Sequence, residues 1–149
     1  MGRIEINQSA WPVVEVNWPS SVEDEEIHAH FDEVAVIVER GEPFVVLVDL
    51  NPLERQTQAQ RKLVSDRMRA LSEEARDVIL AVAHVADNWL ARAVLSTVFF
   101  VSPAPFPEKV FRDRVAARAW VESRLTTTNP NLTAPQYPAH VQCGESDHG

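Results

Sequence analysis

The sequence predicts an α/β fold, in which an opening β-hairpin is followed by βα units that form a mixed sheet covered by helices. Residues 43–48 form an apolar run rich in valine, which is typical of a strand covered on both faces. Residues 78–85 form a second run of this kind. The segments between and after these runs place apolar residues three and four positions apart, as amphipathic helices do. This alternation predicts parallel strands joined by helices.

The length and composition are those of one globular domain. A chain of 149 residues with 45% hydrophobic residues can bury roughly 65–70% of the surface that its unfolded form exposes. Residues 126–149 contain repeated threonines and prolines and show no periodicity. We therefore expect a domain of residues 1–125 followed by a flexible or disordered tail.

Cysteine usage and the apolar stretches indicate the cellular location. Cys143 is the single cysteine, which excludes an internal disulfide and a zinc site built on a CxxC pair. The chain begins with no segment that resembles a signal peptide. Its apolar stretches are shorter than the roughly 20 residues that a transmembrane helix needs. These features predict a soluble, cytoplasmic protein.

Charge is distributed unevenly along the chain, whose net charge is -8. Residues 1–50 contain eleven acidic residues against two basic ones, whereas residues 51–125 contain twelve basic residues against nine acidic ones. This polarity favours docking onto a protein partner or self-association as a homodimer. The acidic residues 23–26 are equally explained as a first helical turn, where carboxylates offset the helix dipole. The absence of a lysine- and arginine-rich run argues against nucleic acid as the main partner.

Two strands and a helix are predicted before the central strand. Residues 3–7 and 13–17 alternate apolar and polar side chains, the pattern of half-buried strands, and residues 8–12 connect them. A capping-box pattern, formed by Ser21 with Asp24 or by Ser20 with Glu23, then indicates a helix start. The apolar face of this helix comprises Ile27, Phe31, Val34 and Val38. Gly41 ends the helix.

A second helix is predicted between the two buried strands. Asp49 stands where the central strand ends, which is where open α/β sheets place binding loops. The helix begins either at Pro52 or after a loop, and it extends to about Arg76. Its apolar face comprises Val64, Met68, Leu71 and Ala75. The strand at residues 78–85 follows.

The last part of the domain is predicted to contain a helix, a short strand and a final helix. Residues 89–100 form a strongly apolar helical pattern, and the prolines at 103, 105 and 107 end it. Residues 109–111 form the strand. Asp113 caps the final helix, which places Trp120 in the core.

A resemblance to a known family rests on three parts of the chain. They are residues 40–49 (Arg-Gly-Glu-Pro-Phe-Val-Val-Leu-Val-Asp), residues 78–85, and residues 106–111 together with Ala119 and Trp120. With their order of strands and helices, these parts resemble the STAS domain of anti-sigma-factor antagonists, in particular the single-domain bacterial proteins of the STAS/SEC14-like type. The resemblance spans residues 3–125 and implies a non-enzymatic regulatory module that binds proteins. The SEC14-like side of it implies an alternative, a binder of a small hydrophobic ligand or lipid.

The regulatory motif of that family is incomplete in this chain. In antagonists that switch partners, an Asp-Leu pair at a strand end is followed by a phosphorylated serine and a glycine. Asp49 and Leu50 match the pair, but residues 51–59 contain neither serine nor glycine, and Thr57 is the one hydroxyl there. The resemblance therefore implies a partner-binding surface without the usual phosphorylation switch. Its expected residues are Asp49, Asn51, Arg55, Thr57, Gln58, Arg61 and Lys62.

Patterns for catalysis and metal binding are weak. His28, His30 and Asp32 have the residue types of metal ligands, but helical residues two apart point to different sides, so only His28 and Asp32 share a face. His84 lies in a predicted buried strand, where histidine is usually a packed core residue, and no serine or cysteine motif accompanies it. The sequence has no glycine-rich phosphate loop. We therefore expect no enzymatic activity, no cofactor and no metal.

The helix predicted at residues 89–100 carries more large apolar side chains than its core-facing side can bury. We expect the excess to form either a ligand-binding surface or a dimer surface, with core packing as the simpler explanation. The residues concerned are Trp89, Leu90, Phe99 and Phe100.

Overall fold

The computed structural model of the chain describes residues 2–89, 91–93 and 105–128. The strands are β1 (Glu5–Ala10), β2 (Val13–Asn17), β3 (Phe44–Asp49), β4 (Ile79–Val85) and β5 (Glu108–Phe111). The long helices are α1 (Asp24–Glu39), α2 (Gln58–Ala75) and α3 (Arg114–Thr128). Trp89 and residues 91–93 are also helical. The predicted α/β fold is confirmed, and the remainder of the helix predicted at residues 89–100 lies outside the described residues.

The strands form one mixed sheet in the order β1-β2-β3-β4-β5. β1 and β2 pair antiparallel, and each following pair of neighbours is parallel. This confirms the opening hairpin and the βα units. β1 extends beyond its predicted end because the pairing shifts register after Asn7 and resumes where Ala10 opposes Val13. Trp11 and Pro12, joined by a cis peptide bond, form the turn.

Alternate residues of the strands face two separate cores. On one face, the strands pack against α1 and α2 through residues such as Val14, Phe44 and Val46. On the other face, Val45 and Leu47 of the same central strand pack against α3. β3 and β4 are therefore covered on both sides, which is why their sequences are almost continuously apolar.

The capping box predicted for α1 is wrong in both of its possible positions. Glu23 is the N-cap residue, and its side chain makes no capping hydrogen bond. The carbonyl of Ser21 accepts a hydrogen bond from the N–H of Gly2, and the carbonyl of Ser20 accepts two from the loop after β3. The serine segment is thus held between the N-terminus and that loop, so the helix begins after it.

The predicted end of α1 and the predicted cap of α3 are confirmed, and α2 takes the later of its two predicted starts. Gly41 follows α1 with φ of 72°, a conformation that favours glycine. α2 begins after a loop at Thr57, whose hydroxyl accepts from the N–H of Gln60 while the Gln60 side chain accepts from the N–H of Thr57. Asp113 accepts hydrogen bonds from backbone N–H groups in the first turn of α3.

α3 packs on the sheet as the sequence predicted. Trp120 is 8% exposed and Leu125 is fully buried, and the rings of Trp120 and Phe111 lie 5.8 Å apart. The helix continues to Thr128, past the predicted end of the domain, and residues 129–149 lie outside the described part. None of the helices in the described ranges is long and apolar enough to cross a membrane.

Candidate functional site

A cavity of about 130 Å³ lies between the sheet and the helices α1 and α2. Most of its lining is aliphatic or aromatic. β2, β3 and β4 contribute Val14, Val16, Phe44, Val46, Val48, Ile79 and Val82. The helices contribute Phe31, Val34 and Ile37 from α1, and Val64, Met68, Leu71 and Ala75 from α2. Protein interiors have few voids larger than a water molecule, so a space of this size distinguishes the α1–α2 side of the sheet.

The sequence produces this space because the strands supply short side chains and α2 packs loosely. Four of the sheet positions that line the cavity on β2 and β3 are valines. In α2 only Ser65 and Ala75 are buried, whereas Val64, Met68 and Leu71 are partly exposed although they face the cavity. The apolar face of α2 therefore lines a cavity and does not pack closely against the sheet.

A histidine and a glutamate form a polar pair in the apolar wall. His84 of β4 and Glu108 of β5 both line the cavity, and His84 Nε2 lies 2.9 Å from Glu108 Oε2. Each side chain is 12% exposed. The parallel pairing of β4 with β5 places Val82 opposite Glu108 and His84 opposite Val110, so the two side chains meet diagonally on the same face of the sheet.

His30 of α1 is a second polar group in the wall. The residue is 7% exposed, and its ring packs edge-on against Trp18 and Phe31. Burial, helped by the positive charge of Arg67, lowers the pKa of His30 to about 4, so the ring is neutral at pH 7. Its Nδ1 makes no hydrogen bond within the described ranges. The wall of the cavity therefore includes a residue whose ring nitrogen Nδ1 is both buried and unpaired among the described residues.

Gln56, in the loop before α2, is a further polar residue in the lining. Its Oε1 is buried and has no hydrogen-bond partner among the described residues. An amide oxygen can only accept. The cavity thus combines an apolar body with four polar residues, His30, Gln56, His84 and Glu108, which is the usual composition of a small-molecule site.

The opposite face of the sheet carries an ionic cluster between β2, β3 and α3. The carboxylate of Glu15 receives hydrogen bonds from Arg114 and Arg118, and Arg118 also bonds to Glu122, whose side chain is 1% exposed. Burial alone would raise the pKa of Glu15, but the hydrogen bond from Arg118 and the charges of both arginines outweigh it and lower that pKa. This cluster is packed beneath α3 and holds that helix on the sheet.

The predicted partner-binding residues follow the carboxyl end of β3 and the start of α2. Asp49 accepts from Arg114 across 2.8 Å and from the N–H of Asn51. Asn51 in turn bonds to the segment after β4, through the N–H of Asp87 at 2.7 Å and the side chain of Asn88 at 3.0 Å. These bonds bring the two loops together, as expected for neighbouring parallel strands.

The other predicted partner-binding residues lie at or near the surface. Arg55, Thr57, Gln58 and Lys62 are exposed, and Arg61 is half-buried. Thr57 is occupied as the cap of α2, and Lys62 forms an exposed ion pair with Asp66 at 2.8 Å. The basic side chains of α2 are therefore partly neutralised by acidic groups on α2 itself.

The predicted apolar surface is represented by Trp89, which is 80% exposed; Leu90, Phe99 and Phe100 lie outside the described residues.

The possible metal ligands of α1 are used in contacts with α2. His28 and Asp32 do share a face of α1, where both contact the guanidinium of Arg67. No cluster of three metal-binding side chains occurs among the residues that the structure describes.

Sequence reasoning missed the cavity and the roles of His30 and Glu108 in its lining. One signal was available: His30 falls on the helical face that carries Ile27 and Phe31, where a polar residue is unusual.

In comparisons with known proteins, no family model, no curated protein and no solved structure matches the chain.

Proposed function

We propose that the protein binds a small, mostly apolar molecule in the cavity between the sheet and the helices α1 and α2. The observation that carries this proposal is the cavity itself, about 130 Å³ with a predominantly aliphatic and aromatic lining. An apolar cavity of about 150 Å³ binds benzene. A ligand with roughly six to eight non-hydrogen atoms is therefore the matching size.

Ligand binding accounts for features that folding alone does not require. Deleting contacts around a void costs stability. The short side chains of β2 and β3 and the partly exposed apolar face of α2 leave such contacts unmade around this cavity. An occupant would restore the contacts and offset that cost.

The test is a titration of the full-length protein with toluene, followed by ¹H–¹⁵N NMR and by thermal unfolding. Val64→Phe, which projects a larger ring into the cavity, is expected to abolish binding. The control is Val36→Phe, also on a helix but 60% exposed and away from the lining, and it is expected to bind like the wild type. Absence of saturable shifts in the folded wild-type protein would contradict the proposal.

We further propose, as a second function, that the surface around β3 and α2 binds a protein partner or a second copy of the chain, as the resemblance to STAS domains implies. The observation in its favour is that Asn51 links the loops after β3 and β4 next to the exposed side chains of Arg55, Gln58 and Lys62. Attraction between charged surfaces raises association rates and weakens as salt shortens the screening length, from about 10 Å at 0.1 M to about 3 Å at 1 M.

Sedimentation velocity at both salt concentrations tests self-association. The double variant Arg55→Glu and Lys62→Glu is expected to remain monomeric, with Arg76→Glu, an exposed basic residue at the opposite end of α2, as the control. An association that responds neither to salt nor to the variant would remove this surface from consideration.

A further inference from the structure

We propose that the ligand of the cavity is an apolar amine, whose protonated nitrogen pairs with the carboxylate of Glu108. This inference rests on the proposed ligand-binding function and names the class of ligand that the site selects. The position, the accessibility and the charge of Glu108 carry it.

The side chain of Glu108 lies on the face of the sheet that carries the cavity. The parallel pairing of β5 with β4 places Glu108 opposite Val82, and residues opposite each other on neighbouring strands share a face. Val82 packs in the core on the α1–α2 side, whereas Ala81 and Ala83, its neighbours along β4, pack in the core on the α3 side. Glu108 therefore projects into the layer that contains the cavity, which it lines together with His84.

One oxygen of the Glu108 carboxylate is available to a ligand. Among the described residues, the one hydrogen bond of this side chain joins Oε2 to His84 Nε2 at 2.9 Å. The side chain is 12% exposed, and Oε1 is not one of the atoms that are both buried and unpaired there, in contrast to Nδ1 of His30. Oε1 thus remains open to a hydrogen-bond donor, and binding needs no rearrangement of the pair formed by His84 and Glu108.

The charge of the lining decides which donor fits best. Glu108 is the one carboxylate among the described lining residues, and none of them is lysine or arginine. A carboxylate in apolar surroundings is unfavourable unless hydrogen bonds and an opposite charge compensate it. A neutral histidine provides a hydrogen bond but no opposite charge. An ammonium group provides both, and hydrogen bonds between ionised groups are roughly twice as strong as those between neutral ones.

The experiment compares toluene, benzyl alcohol and benzylamine in NMR titrations of the full chain at about pH 8, where benzylamine is protonated and imidazole in water is largely neutral. Wild type and Glu108→Gln are both measured, and the readout is the change in Kd that the substitution causes for each ligand. Toluene reports the change in the site alone, so its ratio to benzylamine isolates the ionic contact. Benzylamine is expected to lose about tenfold or more relative to toluene, as a hydrogen bond between charged groups predicts. Benzyl alcohol is expected to lose less than about threefold, because the glutamine oxygen still accepts a hydrogen bond.

The outcomes separate this inference from the proposed function. If toluene binds but benzylamine does not, or if Glu108→Gln weakens benzylamine no more than toluene or benzyl alcohol, the amine inference is overturned while ligand binding stands. If none of the three binds to the folded wild-type protein, the proposed function itself fails. Glu108→Met is measured as a second variant, so that misfolding of Glu108→Gln cannot decide the result.

The matched control is Glu5→Gln, which removes one negative charge from β1 at the opposite edge of the sheet. Glu5 is exposed and does not line the cavity. This variant is expected to bind all three ligands like the wild type. An equal loss of benzylamine affinity in Glu5→Gln would show that the net charge of the protein, and not the contact with Glu108, attracts the amine, and would overturn the inference.

Discussion

Arg114 Nη1 donates to Asp49 Oδ2 across 2.8 Å and thereby joins the first turn of α3 to the carboxyl end of β3. The second terminal nitrogen of the same guanidinium bonds to Glu15 on β2, also at 2.8 Å. The Arg114 side chain thus links α3 to both β2 and β3. The arrangement explains why a charged residue stands in the middle of β2, between two buried valines.

Glu15→Gln is expected to lower the free energy of unfolding by about 1–2 kcal/mol, because two arginines lose the charge of their shared partner in a partly buried site. Urea denaturation at pH 7 measures the change. Asp66→Asn is the control, since its ion pair with Lys62 is exposed and exposed pairs contribute little to stability. Equal losses for the two variants would show that the cluster beneath α3 has no special role.

Stability is expected to fall as the pH decreases from about 6.5 to 4, and His30 is the cause. Above pH 6.5 the His30 side chain is neutral in both the folded and the unfolded protein. Between pH 6.5 and 4 it binds a proton in the unfolded chain but stays neutral in the folded protein, where its pKa is about 4. The loss amounts to about 1.4 kcal/mol per pH unit, or about 3 kcal/mol across the window. Urea denaturation between pH 5 and 7 measures the slope.

His30→Leu is expected to flatten this slope between pH 5 and 6.5. It is also expected to raise the stability of the ligand-free protein at pH 7 by about 1 kcal/mol, because an unpaired buried polar atom is removed. The lowered pKa of Glu15 acts in the same direction, but only below its ordinary value of 4.5. A slope unchanged in His30→Leu would assign the pH dependence to other groups.

Trp120→Ala is expected to cost about 3–5 kcal/mol, through lost burial and the cavity that the substitution leaves. The side chain is 8% exposed and packs against Phe111. Trp89→Ala removes the same atoms from a position that is 80% exposed, so its effect is expected to stay below about 0.5 kcal/mol. Chemical denaturation of both variants tests the contrast, and similar midpoints would mean that α3 is seated differently.

Thr57→Ala is expected to destabilise the protein by about 1 kcal/mol, because the first turn of α2 loses its side-chain cap. Thr57→Ser keeps the hydroxyl and is expected to remain within about 0.5 kcal/mol of the wild type. Thermal unfolding followed by circular dichroism compares them. Should the two variants be equally unstable, the methyl group and not the hydroxyl would be the important part of this residue.

The sequence was sufficient to predict the elements whose pattern is set by local burial. β3 and β4 read as buried strands because both of their faces are covered, and Gly41 and Asp113 mark helix ends through their own backbone chemistry. The start of α1 was mispredicted because the carbonyl of Ser20 bonds to a loop more than thirty residues away. Such a contact leaves no local pattern.

The candidate site was harder to predict from the sequence, because it too depends on contacts between residues that are far apart in the chain. Spacing alone separates His30 from His28 on the helix, but it does not reveal that the inner side of α1 faces a void. The pairing of His84 with Glu108 depends on the register of β4 with β5, and the bonds from Glu15 to α3 span about a hundred positions. Cavities and long-range ion pairs arise from how elements pack, which periodicity does not encode.

The space between the sheet and the two helices also determines how the protein responds to hydrostatic pressure. Unfolding eliminates internal voids, and the volume decrease for ordinary domains is about 20–100 mL/mol. A void of about 130 Å³ enlarges this decrease, so compression is expected to loosen the α1–α2 side of the sheet before the α3 side. A molecule that fills the space would cancel the contribution of the void, and the pressure at which the protein unfolds would then report whether the cavity is occupied.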